Sequence, residues 1–345
     1  MTITTIGLDL AKNVFQVHAI DEAGTVVVRK ALRRVQVIPF FTKLAPCLIG
    51  IEACGTSHYW ARELQKLGHE VRLMPPAYVK AYVKRGKTDA ADAEAICEAV
   101  MRPTMRFVPV KSREQQAELS LHRVRSLIIK QRTQLINMAR GHLAEFGVCI
   151  PQGINNALHL LEKSLDGDVA MDLPEPALAM LQVLARQALL AHEQIRDVDR
   201  QLHVLCRTND VAQRLTTVPG VGPVGAAAFA AAVTDPGQFK SGRQFAAWLG
   251  LTPLQNSSGG KERSGRISKM GDKYLRKLLV VGATALVRQF KIRPDRVPPS
   301  FAALLERKPM RVATVAMANK MARIIWALLT RGDTYQVNHV PVITA

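Results

Sequence analysis

A chain of 345 residues exceeds one ordinary domain, and a hydrophobic share of 48% supplies apolar material for real cores, which excludes a disordered polycation. Its 47 Lys and Arg stand against 28 Asp and Glu, and the resulting formal charge of +19 draws polyanions, meaning nucleic acid or an anionic membrane surface. No run reaches the ~18 uninterrupted apolar residues of a spanning helix, and the N-terminus lacks the pattern of a secretory signal.

The first hundred or so residues alternate strand and helix signals. Thr5 to Leu10 reads as a buried strand that ends in an acid, and Val14 to Ile20 as a second strand. Asp21-Glu22-Ala23-Gly24 supplies hairpin-turn chemistry, and Thr25 to Arg29 a third strand. A helix from about Val37 to Leu44, a strand from Cys47 to Ala53, a helix from Ser57 to Leu67 and a short strand from Glu70 to Met74 follow. A helix from Ala90 to Val100 has its start marked by Thr88 and Asp89. This order predicts a mixed α/β sheet.

Arg113 to Phe146 and Glu175 to Cys206 carry apolar residues at helical spacing, interrupted in the first stretch only by Gly141. The segment between them holds Pro151, Gly153, Gly167 and Pro174 and reads as helix-breaking. Two long amphipathic helices joined in this way form a coiled-coil arm or the core of a helical bundle, and the pattern fits both. Beyond Asn209, a Gly-rich turn at Thr217 to Ala226 opens an Ala-rich helix. Further helices are expected at Phe239 to Leu249, Tyr274 to Val287 and Ala313 to Leu329, with a polar loop at Thr252 to Lys261 and a loose tail. The five cysteines (Cys47, Cys54, Cys97, Cys149, Cys206) are scattered and form no CxxC, which argues for reduced thiols and against a structural zinc.

Four acids attract notice. Asp9 sits in a strand that otherwise reads as fully buried, and Glu52 ends a second one, so each needs a partner to offset desolvation. Asp89 and Asp92 lie three apart and share a helix face, although Asp89 also suits a helix N-cap and Asp92 a first-turn dipole partner. Hard oxygen ligands of this kind suit Mg²⁺, with Mn²⁺ as an alternative, and a pair of such ions stabilises both oxygens of a phosphodiester exchange. Pro219-Gly220-Val221-Gly222 fits a phosphate seat at a helix start or a tight turn between packed helices. From Lys261 to Lys277 there are seven basic residues and two acidic ones, which suits a backbone-binding surface.

Three segments, Gly7-Leu8-Asp9-Leu10-Ala11-Lys12, Gly50-Ile51-Glu52-Ala53 and Lys87-Thr88-Asp89-Ala90-Ala91-Asp92-Ala93, together resemble the DEDD transposases of the insertion sequence 110 family. Pro219 to Pro223, Gly250 to Pro253, Asn256 to Gly260 and Gly265 to Gly271 resemble that family's second domain, so the resemblance spans about residues 3 to 330. It implies a fold of α/β plus α: a RuvC-like, ribonuclease-H-like sheet domain over residues 1–110, a helical arm over 111–207, a mainly helical transposase domain over 208–330, and a tail.

The resemblance implies a DNA transposase that works as a serine recombinase. Asp9, Glu52, Asp89 and Asp92 would hold Mg²⁺, and Ser258, with Ser257 as runner-up, would form a transient phosphoserine link. Lys261, Arg263 and Arg266 would neutralise phosphate charge, with Lys269, Lys273 and Arg276 extending the nucleic-acid contact. Double-stranded DNA, a structured guide RNA and a dimer assembling to a tetramer are the implied partners, in the cytoplasm of a prokaryote at the nucleoid and without a membrane. The competing expectation is a metal-dependent nuclease or Holliday-junction resolvase with no serine step.

Overall fold

Alternation of apolar and small or polar residues builds five strands whose two faces have different jobs. The computed structural model describes residues 2–84, 88–166, 173–256 and 263–336, which fall into two units, residues 1–113 and 114–345. The first unit runs β1 (Thr5–Asp9), β2 (Val14–Ile20), β3 (Val26–Arg33), α1 (Val37–Phe41), β4 (Leu48–Glu52), α2 (Ser57–Lys66), β5 (Glu70–Met74), α3 (Pro76–Val79) and α4 (Asp89–Val100). The sheet order is β3-β2-β1-β4-β5, with β1, β2 and β3 antiparallel and β4 and β5 parallel to β1. Mixed α/β architecture is therefore as the sequence indicates, and the five-stranded order is compatible with a ribonuclease-H-like domain.

One face carries Ile6, Leu8, Phe15, Val17, Ile49, Ile51 and Leu73, packed against Val37 and Phe41 of α1 and Trp60, Ala61 and Leu64 of α2. Most of these side chains are fully buried, each stabilising by about 1.5–3 kcal/mol. The other face is lined at its centre by glycine. Gly7 and Gly50 are register partners on the parallel pair β1 and β4. A Cβ at Gly7 would lie 2.1 Å from the Ala93 carbonyl oxygen and 2.8 Å from the Cys97 Cβ, and one at Gly50 would lie 2.7 Å from the Val100 Cβ. The small residues of α4 thus rest directly on the backbone of the sheet.

The second unit is mostly helical: α5 (Arg113–Ala144), α6 (Ile154–Asp166), α7 (Glu175–Thr208), α8 (Asp210–Thr216), α9 (Pro223–Ala232), α10 (Gly242–Trp248), β6 (Pro253–Gln255), β7 (Ser264–Ile267), α11 (Lys273–Ile292), α12 (Pro299–Arg307) and α13 (Met310–Arg331). The two long helices appear where their periodicity put them, and α5 continues through Gly141. Two expectations are corrected. The stretch read as helix-breaking contains α6, whose Ala157, Leu158 and Leu161 join Ile136, Ala139 and Leu143 of α5 and Leu181 and Leu184 of α7 in one core. The loop expected from Thr252 begins instead as a strand, with β6 and β7 forming an antiparallel ribbon.

A polar seam follows the long helices. Arg125 of α5 forms a two-pronged ion pair with Asp199 of α7, its second contact at 3.3 Å. His122 of α5 meets the Tyr274 hydroxyl of α11 at 3.1 Å, and Arg132 of α5 meets His192 of α7 at 2.8 Å. Helix α13 is long and apolar enough by composition to cross a membrane, yet Ala313, Met317, Met321, Ile325 and Leu328 lie in the core of this unit. That burial is the behaviour of a core helix.

Replacing Gly7 by alanine drives a methyl group into the Ala93 carbonyl, which forces α4 off the sheet. Gly7→Ala is expected to cost about 1–3 kcal/mol or more, read as a lower urea midpoint. Leu8→Met, on the opposite face, conserves volume and should cost less than about 1.5 kcal/mol.

Candidate active site

Side chains two residues apart on a strand share a face, so Asp9 follows Gly7 and Glu52 follows Gly50 on the α4 side of the sheet. The last paired level of the parallel register is Leu8 with Ile51, which leaves Asp9 and Glu52 side by side one step beyond it, on strands about 4.8 Å apart. Helix α4 rests on Gly7 through Ala93 and Cys97, so its first turn lies toward the same end. Asp89 and Asp92 belong to that turn.

The N-cap of α4 is Thr88, whose Oγ1 accepts a hydrogen bond from the Ala91 N–H at 3.2 Å. Asp89 is the first helical residue, so capping does not account for it. Both acids remain favoured by the positive end of the helix dipole.

Asp9 feels the charges of the other three acids. The Asp9 carboxyl is pushed up from 3.8 to about 6, first by burial, then by the charges of Asp92, Asp89 and Glu52 in that order, against the Leu10 backbone N–H, which favours the anion. Burial, with the Glu52 and Asp9 charges behind it, also raises the nearby Cys54 thiol, which disfavours the thiolate there. Among the described residues, no three His, Cys, Asp or Glu side chains are already close enough to share one ion. The donor set is nevertheless all carboxylate oxygen, and its surplus negative charge is of the kind a divalent cation relieves, so the residues fit Mg²⁺ in chemistry.

Ser257, Ser258 and Lys261, expected at the DNA, lie outside the described residues. Their neighbours belong to the ribbon: the Asn256 N–H donates to the Arg263 carbonyl at 3.0 Å. Arg263, Arg266, Lys269 and Lys273 are exposed on the ribbon and the start of α11. Arg276 is the exception. It is 9% exposed, and its guanidinium donates to the carbonyls of Leu249 at 2.8 Å and Met270 at 2.7 Å. This arginine faces inward and ties the root of the ribbon to α11, so it is withdrawn from the expected nucleic-acid surface. Its sequence neighbourhood gave no sign of this, because burial of one helix position among exposed lysines depends on the facing loop.

At the Gly-rich turn, Gly220 has φ 83° and packs on Gly282 of α11, where an added Cβ would meet the Gly220 carbonyl oxygen at 2.0 Å. Of the two readings of this turn, the tight connection between packed helices is the one this contact supports.

The fold and the acids are compatible with an enzyme that acts on DNA, and comparison with known proteins gives the class, a transposase. Residues 6–147 match a DEDD transposase model of the IS110 type, and residues 212–296 match the Transposase IS116/IS110/IS902 family. A probable family 20 transposase of Pseudomonas aeruginosa is 50% identical over 97% of this chain and 99% of its own. The transposase for insertion sequence element IS1111A of Coxiella burnetii is 40% identical, covering 97% and 92%. That for IS1328 of Yersinia enterocolitica is 36% identical, covering 96% and 98%. The chain belongs to the IS110/IS116/IS902 family of insertion-sequence transposases.

Because Asp9 keeps its proton to about pH 6 when folded but only to 3.8 in its ordinary state, the folded chain binds more protons between those values, and stability falls as pH rises through that window. In EDTA at pH 7.5, Asp9→Asn should therefore melt above the wild type, with the gap closing toward pH 4 in parallel thermal scans. Arg276→Ala, which orphans two carbonyls, should lower the melting temperature by several degrees, whereas Lys273→Ala should leave the unfolding free energy within about 0.5 kcal/mol of wild type.

Proposed function

We propose that this transposase cuts and rejoins the strands of its insertion sequence through a transient serine–DNA ester assisted by the acid cluster of the first unit. The metal-assisted part of the reading is supported by the charges of Asp92, Asp89 and Glu52 acting on Asp9 at one end of the sheet, and the serine part by the match of residues 212–296 to the family's second model. Magnesium held by these four carboxylates, with manganese as a substitute, would supply positive charge at the leaving oxygen.

The Ser258 hydroxyl oxygen attacks the phosphorus, a serine–phosphorus ester forms, and the bond from phosphorus to a deoxyribose oxygen breaks. The serine proton leaves with the displaced strand end. A strand-end hydroxyl then attacks the ester and restores the serine, so bond energy is conserved without ATP. Arg263, Arg266, Lys269 and Lys273 offer exposed cations to the DNA backbone beside this step. The domain reading that accompanies the mechanism is a metal-binding domain over 1–110, an arm over 111–207 that pairs subunits, a serine domain over 208–330 and a tail over 331–345. The active site is then completed between subunits of a tetramer on two duplexes, directed by a structured RNA, in the prokaryotic cytoplasm at the nucleoid.

The acid cluster is self-contained within the first unit, which favours a second reading: hydrolytic nicking by the tetrad alone, as in a junction resolvase. One gel separates the two. Labelled duplex, the RNA of the element and Mg²⁺ are incubated with protein, denatured, and run with and without protease. A protease-sensitive adduct that survives Ser257→Ala and disappears in Ser258→Ala is expected. Its loss only in Ser257→Ala moves the nucleophile by one residue, and free nicks without any adduct support hydrolysis.

A further inference from the structure

A groove of about 420 Å³ opens between the β2–β3 ribbon and the first turns of α4. Gln16, His18, Arg29, Ala31, Thr88 and Glu94 line it. Register fixes its place relative to the acids. Gln16 is the cross-strand partner of Asp9, and Ala31 is the partner of Gln16, so the floor of the groove continues from Asp9 outward along one face of the sheet. Two strand spacings amount to ~10 Å. That is about three nucleotides of a stacked strand at ~3.4 Å each.

The chemistry of the lining suits a phosphodiester. Arg29 is exposed at the rim. Glu94, the acid of the wall, is already paired with Lys84 at 2.5 Å, so the groove keeps a net positive rim. At the floor, His18 lines the groove and is only 6% exposed. Burial and the neighbouring Arg29 charge lower its pKa, which leaves a neutral imidazole with one N–H to donate into the groove. Edge-strand cations alone would be explained as protection against strand pairing, but that account leaves the floor histidine without a role.

We infer that this groove seats the backbone of a DNA strand as it runs to or from the acid cluster, with Arg29 on a phosphate and His18 donating to a phosphate or sugar oxygen. The inference rests on the reading of the chain as a transposase that acts on DNA.

Fluorescence anisotropy in EDTA, with labelled single-stranded and duplex DNA across a salt series, tests it without cleavage. Arg29→Ala should weaken binding about tenfold and reduce the salt slope by about one, and Arg29→Lys should keep the slope. His18→Phe, matched in size and checked by its melting curve, should weaken binding with the slope unchanged. Arg200→Ala removes an exposed cation of the second unit and serves as the charge-matched control, expected to be silent. Wild-type binding that persists unaltered in Arg29→Ala overturns the groove assignment while leaving the transposase reading intact. So does a defect that appears with a labelled RNA of equal length and not with DNA. Failure of the wild type to bind any DNA overturns both.

Discussion

The arrangement of the first unit depends on one close approach, the seating of α4 on the paired glycines Gly7 and Gly50. A helix ordinarily stands about 10 Å from a sheet, held off by side chains on both surfaces. Here one surface has none, and the other offers Ala93, Cys97 and Val100. The helix therefore sinks until backbone meets backbone. That depth brings the acids of its first turn level with the acids that end β1 and β4. Any other residue at position 7 or 50 would lift the helix and separate the carboxylates.

The opposite face shows what such a contact requires. Ile6, Leu8, Ile49 and Ile51 are buried against α1 and α2, and they hold the strands in register from behind. With register fixed by that face, the glycine face is free to be shaped for chemistry. A one-residue slip would exchange the faces and put Leu8 and Ile51 where the acids belong. The second unit fixes its helices by other means. The ion pair of Arg125 with Asp199 and the contacts of His122 and Arg132 act at single positions along α5. A buried polar contact of this kind is satisfied in one alignment only, so it selects an alignment that apolar residues alone would leave open.

Much of this was legible in the residues. The acids Asp9 and Glu52 stood out because each follows an apolar strand that gives no local reason for charge. The long helices declared themselves through spacing sustained over many turns. What escaped reading shares a cause, which is dependence on partners distant in sequence. Helix α6 was hidden by the prolines and glycines that flank it, although its own Ala157, Leu158 and Leu161 keep helical spacing. The β6–β7 ribbon lacks an apolar face and is held by the backbone beside Gly250 and Gly271. Arg276 looked like its lysine neighbours until the carbonyls of Leu249 and Met270 were found beside it. Asp89 shows the reverse case. The sequence left it open as a helix N-cap, and the structure gives that place to Thr88 one residue earlier.

Helix α4 carries two kinds of residue within its first two turns: Asp89 and Asp92 toward the sheet end, Thr88 and Glu94 toward the groove. Its later turns are pinned over the glycines, so these residues form one short rigid body. The proposed ion site and the proposed strand groove therefore share one structural element, through which the two would be linked. Were the groove to seat a strand and the acids an ion, as proposed, any effect of the strand on the ion's affinity would be matched by an equal effect of the ion on the strand's.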